Sequence, residues 1–487
     1  MSAGSKPSRP NLVLLVAGTA QFMVILDVSI VNVALPSIQA DLGFSPQGLQ
    51  WVVSAYTIAF AGFQLLGGRA ADLFGQRRVL LGGLGLFTLA SLAGGLAGSQ
   101  HLLVVARAIQ GLGSAVVAPA TLTIVTAAFP EGPARTRALG IWGSMLGAGG
   151  TVGVLAGGVL TELLDWHWIF LVNVPIGALV AVAALAWVPE QTPEQRGAGR
   201  AGQIDLLGAL TVTGGLVALV GGIVTGQQSG WAAASTLVCF ALAAALLAAF
   251  ALVEARAAHP LVPLRVLRVR TTSGANLIVL LIGAALISMW FFLSLYLQDV
   301  LGYSPLRAGL AFVPMSLTIV AMTSVASRLV ARVGVLAVLV AGLVLVGAGL
   351  AGFTRLPLAG AYTSDFLPPS LLATAGLGLT LVSSTVAAVA GGRPEERGLA
   401  SGLVNTSRLL GGALGLALLS TVATSRAAAL AAAGASRPAA LTGGFHLAFA
   451  LGAGMCLAGA VLAVVVLRGL GRPAAAAPAA EPEERAA

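Results

Sequence analysis

Charge is the scarcest property of this chain. Only 9% of its 487 residues are Asp, Glu, Lys or Arg, against 57% hydrophobic. Soluble domains carry roughly 25% charged residues, so 26 basic and 17 acidic side chains cannot cover a water-facing surface of this length. The shortage excludes a soluble enzyme, a nucleic-acid-binding module and a disordered chain. Cysteine is nearly absent. Cys239 and Cys456 each sit in an apolar run and read as small hydrophobes, not as a disulfide framework. His101, His167, His259 and His446 are scattered, with no H-x-x-x-H or C-x-x-C spacing, so no metal site is expected. No G-x-x-x-x-G-K-[ST] loop is present, so ATP is not a fuel bound by this chain itself. No catalytic constellation and no cofactor motif appears. The excess of arginine (Lys6 is the lone lysine) gives a net charge of +9.

What is present is a succession of long apolar runs. A membrane helix needs about 20 such residues. Runs of that kind lie near 11–35, 47–67, 79–98, 102–125, 137–160, 169–188, 204–224, 232–253, 272–297, 305–330, 333–353, 366–390, 399–422 and 444–467. This predicts an all-α membrane protein with fourteen transmembrane helices. The first run is long and holds Asp27, unlike a cleavable signal peptide. The short alternating strands of a barrel are missing. With the N-terminus in the cytoplasm, twenty of the basic residues fall in cytoplasmic segments. Only Arg307, Arg355, Arg426 and Arg437 fall outside, and Arg107 and Arg408 lie within helices. That bias predicts a multi-pass protein of the cytoplasmic membrane with both termini inside.

An internal repeat divides the chain. Gly68-Arg-Ala-Ala-Asp72-Leu-Phe-Gly75-Gln-Arg77-Arg78 follows the second run, and Ser327-Arg328-Leu-Val-Ala331-Arg332-Val-Gly334 follows the tenth. An offset of 259 aligns Arg69 with Arg328 and Gly75 with Gly334. The expected organisation is a cytoplasmic N-terminus (1–10), a six-helix bundle (11–188), a polar linker (189–203), two inserted helices (204–253) and a cytoplasmic loop (254–271). A second six-helix bundle (272–467) and a disordered tail (468–487) follow. Two parallel repeats around a central cavity are a transporter architecture.

Few residues in the spans can carry chemistry. Asp27, midway along the first, is the one carboxylate deep in any run. A charged side chain there costs about 2.5–3.5 kcal/mol on insertion scales, so an intramembrane acid is a functional candidate by default, here for loading and releasing a proton. The alternative is a purely structural pair with a buried donor. Arg107 shares a helix face with Gln110, Gly111 and Ser114, and reads as a cation beside that proton site or as a snorkelling arginine. Gly68, Asp72, Gly75, Arg77 and Arg78 form a tight basic loop whose ion pairs suit a cytoplasmic gate, or serve orientation alone. Gly149, Gly153, Gly157 and Gly158 repeat small residues at helical spacing, which brings two helix backbones together. Gln21, Asn32, Trp51, Tyr56, Gln64, Asn276, Trp290, Phe291 and Tyr296 are candidates to line a substrate cavity. Gln21 and Asn32 share a face of the first helix, and Asp27 points about 120–140° away from them.

Taken together, these segments resemble the major facilitator superfamily and its fourteen-helix drug:proton antiporter family. Leu26-Asp-Val-Ser-Ile-Val-Asn-Val-Ala-Leu-Pro36 resembles that family's first-helix signature. Gly68 to Arg78 resembles the loop motif G-x-L-A-D-R-x-G-R-[RK], with Ala70 and Leu73 where leucine and arginine are usual. Leu103 to Gly113 resembles the proton-coupling motif, and Gly149 to Gly158 the antiporter motif, with Val154 in place of its usual proline. Trp166-His-Trp-Ile-Phe-Leu-Val-Asn173-Val-Pro175-Ile-Gly177 is similar to the entry into the sixth helix, with His167 replacing an arginine.

The resemblance implies a major facilitator fold and a proton-coupled antiporter that exports drugs or other amphipathic molecules by alternating access. It needs no cofactor, is driven by the proton gradient, and works as a monomer in the bilayer. Asp27 carries the proton with help from Arg107, and the Asp72 loop locks the cytoplasmic side against the start of the thirteenth helix near Arg397. Competing readings are an exporter of one endogenous metabolite or antibiotic, a proton-coupled importer, and a sensor without flux.

Overall fold

In hydrocarbon a backbone must satisfy its own hydrogen bonds, and an apolar run does so by coiling into a helix. The computed structural model describes residues 10–190, 205–257, 260–262, 264–390 and 397–468. Fourteen helices in it are long and apolar enough to cross a membrane. They are α1 (Pro10–Leu42), α2 (Pro46–Phe74), α3 (Gln76–Gly95), α4 (Gln100–Ala128), α5 (Pro133–Leu163), α6 (Trp168–Trp187, broken at Val172), α7 (Leu206–Ser229), α8 (Ala234–Arg256), α9 (Arg270–Val300), α10 (Pro305–Val333), α11 (Val335–Phe353), α12 (Tyr362–Val389), α13 (Arg397–Ala432) and α14 (Arg437–Val466). No strand occurs among the described residues. The N-terminal stretch 1–10, the linker 189–203 and the tail 468–487 lie almost wholly outside the described residues.

The helices overrun the apolar stretches that define them. The segment from Gly68, expected as a loop, continues α2 to Phe74; Gly75 alone, at φ 95°, separates it from α3. Arg69-Ala-Ala-Asp72 contains good helix formers, and polar side chains at a membrane edge are solvated without leaving the helix. Likewise α13 and α14 extend well past the expected ends at 422 and 444, because the alanine-rich segment after Arg426 favours helix.

The offset of 259 reaches further than the loop motif. Gly43 and Gly302 both adopt φ 66°, and Gly75 and Gly334 adopt φ 95° and 88°. Ser45 and Ser304 cap α2 and α10, accepting from the backbone N–H of Gly48 and Arg307, with Pro46 and Pro305 in the first turn. Both helices are 29 residues long.

Packing follows the same repeat. In the first six helices α1 packs on α5, α2 on α4, and α3 on α4 and α6; in the last six α9 packs on α13, α10 on α12, and α11 on α12 and α14. The two sets meet where α5 contacts α10 and α2 contacts α13. The α7–α8 pair rests on α2 and α13 through α7. Lipid offers no hydrophobic drive for helix association, so close backbone approach at small residues does the work. A Cβ on Gly149, Gly153 or Gly157 would come within 2.8, 1.9 or 2.6 Å of the Phe22 carbonyl oxygen, Ser29 Oγ and the Ile30 carbonyl oxygen on α1. In the other set, a Cβ on Gly411 would lie 2.0 Å from the Leu280 carbonyl oxygen and one on Gly415 2.3 Å from Ala284.

This geometry separates neighbouring glycines. Gly157→Ala forces α5 from α1 and is expected to cost about 1–3 kcal/mol. Gly150→Ala meets nothing within 4 Å and leaves stability unchanged. Thermal unfolding in detergent measures both; equal midpoints would refute the close contact.

Candidate functional site

Two features occupy the middle of the molecule. The first is a charged cluster closed inside the first six helices. Arg107 Nη1 on α4 donates to Asp27 Oδ2 on α1 at 2.6 Å. Asp27 Oδ1 accepts from Gln110 Nε2 (α4) and Asn173 Nδ2 (α6), each at 3.0 Å. Arg107 also donates through Nε to the Val52 carbonyl oxygen at 3.0 Å and through Nη1 to Gln110 Oε1 at 3.0 Å. Gln110 Nε2 reaches Ser91 Oγ on α3 at 2.7 Å. The guanidinium carbon lies 4.3 Å from the ring centre of Tyr56 and 5.7 Å from that of Phe170, and Tyr56 donates to Ser114 Oγ at 2.7 Å. Asp27 and Arg107 are 0% and 2% exposed.

Helical spacing explains the convergence. Arg107, Gln110, Gly111 and Ser114 lie along one face of α4. Gly111 lets that face approach α2, since a Cβ there would sit 2.3 Å from the Tyr56 carbonyl oxygen. A buried ion pair is tolerable only when its remaining hydrogen-bonding capacity is also met. Here Asp27 receives three donors, from two helices.

The second feature is a cavity of about 1240 Å³ between the two sets of six helices. It is reached from the end that carries Arg69, Asp205 and Arg265. Gln21, Ser29 and Asn32 line it from α1, Gln64 from α2, Trp142 from α5, Trp290 from α9, and Asn405 and Arg408 from α13. Asp27 faces the other way and does not line it. At the opposite end the two sets are joined. Gln298 Nε2 donates to the Val33 carbonyl oxygen at 2.9 Å, Ser294 Oγ to that of Asn32, and the backbone N–H of Leu306 to Glu162 Oε2 at 2.8 Å. Gly309 and Gly158 let α5 and α10 touch there: their Cβ atoms would lie 2.6 and 2.8 Å from the carbonyl oxygens of Val154 and Pro305.

The sequence candidates divide accordingly. Gln21, Asn32, Gln64 and Trp290 line the cavity. Trp51, Tyr56, Asn276, Phe291 and Tyr296 do not. Tyr56 is held under Arg107, and Tyr296 is buried with its hydroxyl donating to the Pro357 carbonyl oxygen at 2.6 Å. Asn276 donates to the Thr272 carbonyl oxygen and accepts from Ser407. Phe291 packs in the core, and Trp51 packs beside α7 and α13. In the basic segment, Arg77 donates to the Leu185 carbonyl oxygen at 2.7 Å and Arg78 pairs with Glu190 at 2.6 Å, so both engage the end of α6 in this arrangement. Gly68 lines the cavity. The side chains of Asp72 and Arg397 lie outside the described residues. Gln110, expected on the Arg107 face, completes the Asp27 cluster together with Asn173 and Ser91, neither of which is among the candidates from sequence. The polarity of Asn173 and Gln110 within apolar runs was the available signal.

The sequence matches the family model of the Major Facilitator Superfamily over residues 17–416. The chain belongs to that superfamily. It is 45% identical over 420 residues to the cephamycin export protein CmcT of Amycolatopsis lactamdurans, covering 86% of each chain. It is 41% identical over 461 residues to the puromycin resistance protein pur8 of Streptomyces alboniger, covering 93% of this chain and 90% of that one. Among solved structures, the POT family transporter PepTSo superposes with a TM-score of 0.68 at 14% identity, over 95% of this chain and 99% of that one. This major facilitator protein is therefore a multi-pass membrane transporter of small molecules and not an enzyme.

The cluster predicts non-additive energetics. Arg107→Met leaves a buried carboxylate without its counter-charge and is expected to cost about 3–5 kcal/mol. Adding Asp27→Asn removes that charge and should recover most of the loss in thermal midpoint. Additive losses would show that the two residues are uncoupled.

Proposed function

We propose that this major facilitator protein is a proton-coupled antiporter that exports amphipathic small molecules, antibiotics among them, from the cytoplasm. The observation that carries the reading is a sealed Asp27–Arg107 pair behind the wall of a substrate-sized cavity. Relatives named for cephamycin export and for puromycin resistance support the direction of transport. The positive bias of alternate loops supports a cytoplasmic-membrane protein with both termini inside, so that the cavity opens to the cytoplasm. The chain works as a monomer and without a cofactor, driven by the proton gradient.

Substrate enters from the cytoplasm and lies between the two helix sets. The Glu162–Leu306 and Gln298–Val33 contacts then break, and the basic end closes, with Asp72, Arg77, Arg78 and the start of α13 forming the inner gate. A proton arriving from outside neutralises Asp27 and removes the charge that holds Arg107. Substrate leaves, the helices return, and the proton is released inside as the pair re-forms. A dedicated exporter of one antibiotic is the second reading, favoured because several relatives are named for single compounds.

Asp27→Asn should abolish uptake into inverted vesicles driven by an imposed pH gradient, with the amount of protein in the membrane unchanged. Full gradient-driven transport by that variant would exclude Asp27 as the proton carrier. Glu162→Ala removes one outer contact and should favour the outward-open arrangement. In a chain whose two native cysteines are replaced, Ser29→Cys should then react faster with an impermeant thiol reagent applied from outside. An unchanged rate would mean that Glu162 does not hold the outer side shut.

A further inference from the structure

The proton-coupling pair leaves one intramembrane charge unused. Arg408 lies on α13, and its position is tightly set, since a Cβ on Gly283 of α9 would come 2.1 Å from the Arg408 carbonyl oxygen. Its guanidinium makes one hydrogen bond among the described residues, donated by Nη2 to Asn405 Oδ1. Asn405 in turn donates to Gln64 Oε1 on α2 at 2.8 Å. Arg408 has no carboxylate partner among the described residues. A guanidinium carries five N–H donors in a planar fork suited to carboxylate or sulfonate oxygens. Most of that capacity is unspent on protein, at a depth where an unpaired cation is costly.

The surrounding charge is mostly positive. Among the described residues, the charged side chains lining the main cavity are Arg69, Arg265, Arg408 and Asp205. Asp205 sits at the mouth and caps α7, accepting from the Gly208 N–H at 2.7 Å. Asp27 does not line the cavity and is paired with Arg107. Arg408 and Asn405 also line an adjoining chamber of about 360 Å³ whose described walls hold no acid. A cleft with a surplus of positive charge concentrates anions.

We infer that Arg408, oriented by Asn405 and Gln64, recognises an anionic substituent, a carboxylate or sulfonate, on the transported molecule. The inference rests on the export reading for the presence of a substrate and adds its charge class. Trp142 and Trp290 offer apolar faces in the same cavity for the body of such an amphipathic anion.

Two xanthene dyes test the charge preference. Carboxyfluorescein is anionic and rhodamine methyl ester cationic on the same ring scaffold. Their anisotropy is titrated with the full chain in lipid nanodiscs against empty nanodiscs. Carboxyfluorescein should bind more tightly than the ester. Arg408→Gln should weaken it by roughly tenfold or more, the scale of a lost charged hydrogen bond, and Arg408→Lys by less. Binding of the ester should be unchanged or improved by Arg408→Gln. If that variant does not fold, Asn405→Asp places a carboxylate beside Arg408 and should lower carboxyfluorescein affinity instead. Preference for the ester, indifference of carboxyfluorescein to these substitutions, or no binding of it above empty nanodiscs would each overturn the inference. Binding does not depend on flux. Anion binding without gradient-driven efflux would reject the export reading alone, and efflux of the ester without anion binding would reject this inference alone.

Discussion

A carboxylate cannot sit in the middle of a membrane protein without organising its neighbours, and in this chain Asp27 does so. Desolvating an ion costs several kcal/mol even after relaxation, and one counter-charge does not offset it unless the other hydrogen-bonding sites are also filled. The cluster meets that demand by drawing on α1, α2, α3, α4 and α6 together. Five of the first six helices are thus fixed around one pair. The last six have no comparable device among the described residues. They are held by backbone contacts at Gly411, Gly415, Gly342 and Gly376 and by a core of aliphatic and phenylalanine side chains. The repeat duplicates geometry, and the buried ion pair is confined to the first copy.

The contacts between the two copies are of a different kind. At the end away from Arg69 and Arg265 they are glycine-to-carbonyl approaches and single hydrogen bonds, such as that from Leu306 to Glu162. None among the described residues is a buried ion pair. Within the first set, by contrast, separating Asp27 from Arg107 would strand two charges. The cheapest motion is therefore between the sets, which is what alternating access requires.

Much of this was legible in the sequence, for physical reasons that differ by feature. Span number was legible because the bilayer imposes length and apolarity on every crossing helix, and the alternating arginine bias checks the count independently. Helix ends were not, because water solvates polar residues past the hydrocarbon without unwinding a helix, as at Arg69–Phe74. Asp27 and Arg107 stood out because charge is so scarce. Their partners stood out less, since a buried Asn173 or Gln110 differs little in composition from a cavity-lining Asn or Gln. The aromatic candidates show the same limit. Trp290 and Phe291 are adjacent in sequence, yet one lines the cavity and the other the core, which is decided by helix rotation about the bundle axis. The repeat was more readable than the loop motif suggested: Leu42-Gly-Phe-Ser-Pro46 and Leu301-Gly-Tyr-Ser-Pro305 stand at the same offset of 259.

If Asp27 carries the proton, as proposed, its separation from the cavity constrains how proton and substrate can influence one another. They share no side chain, so coupling has to run through the helix that both touch. On α1, Asp27 faces α4 and α6 while Ile25, Val28 and Asn32 face the cavity. Ser29 lies between these faces, donating to the Gly149 carbonyl oxygen on α5 at 3.2 Å. At Gly149, Gly153 and Gly157, α5 brings only backbone against α1, and the Ser29 side chain fills the space beside Gly153. With no α5 side chain at those positions, the Ser29–Gly149 hydrogen bond is what a shift of α1 along α5 has to break. α5 runs as one unbroken rod from Pro133 to Leu163, with Val154 at its middle and no interior proline to bend it. Losing the charge on Asp27 would free α1 to shift along that rod. The cavity wall would change shape with no proton entering the cavity, and a substrate of any charge would be spared competition for the proton's carboxylate.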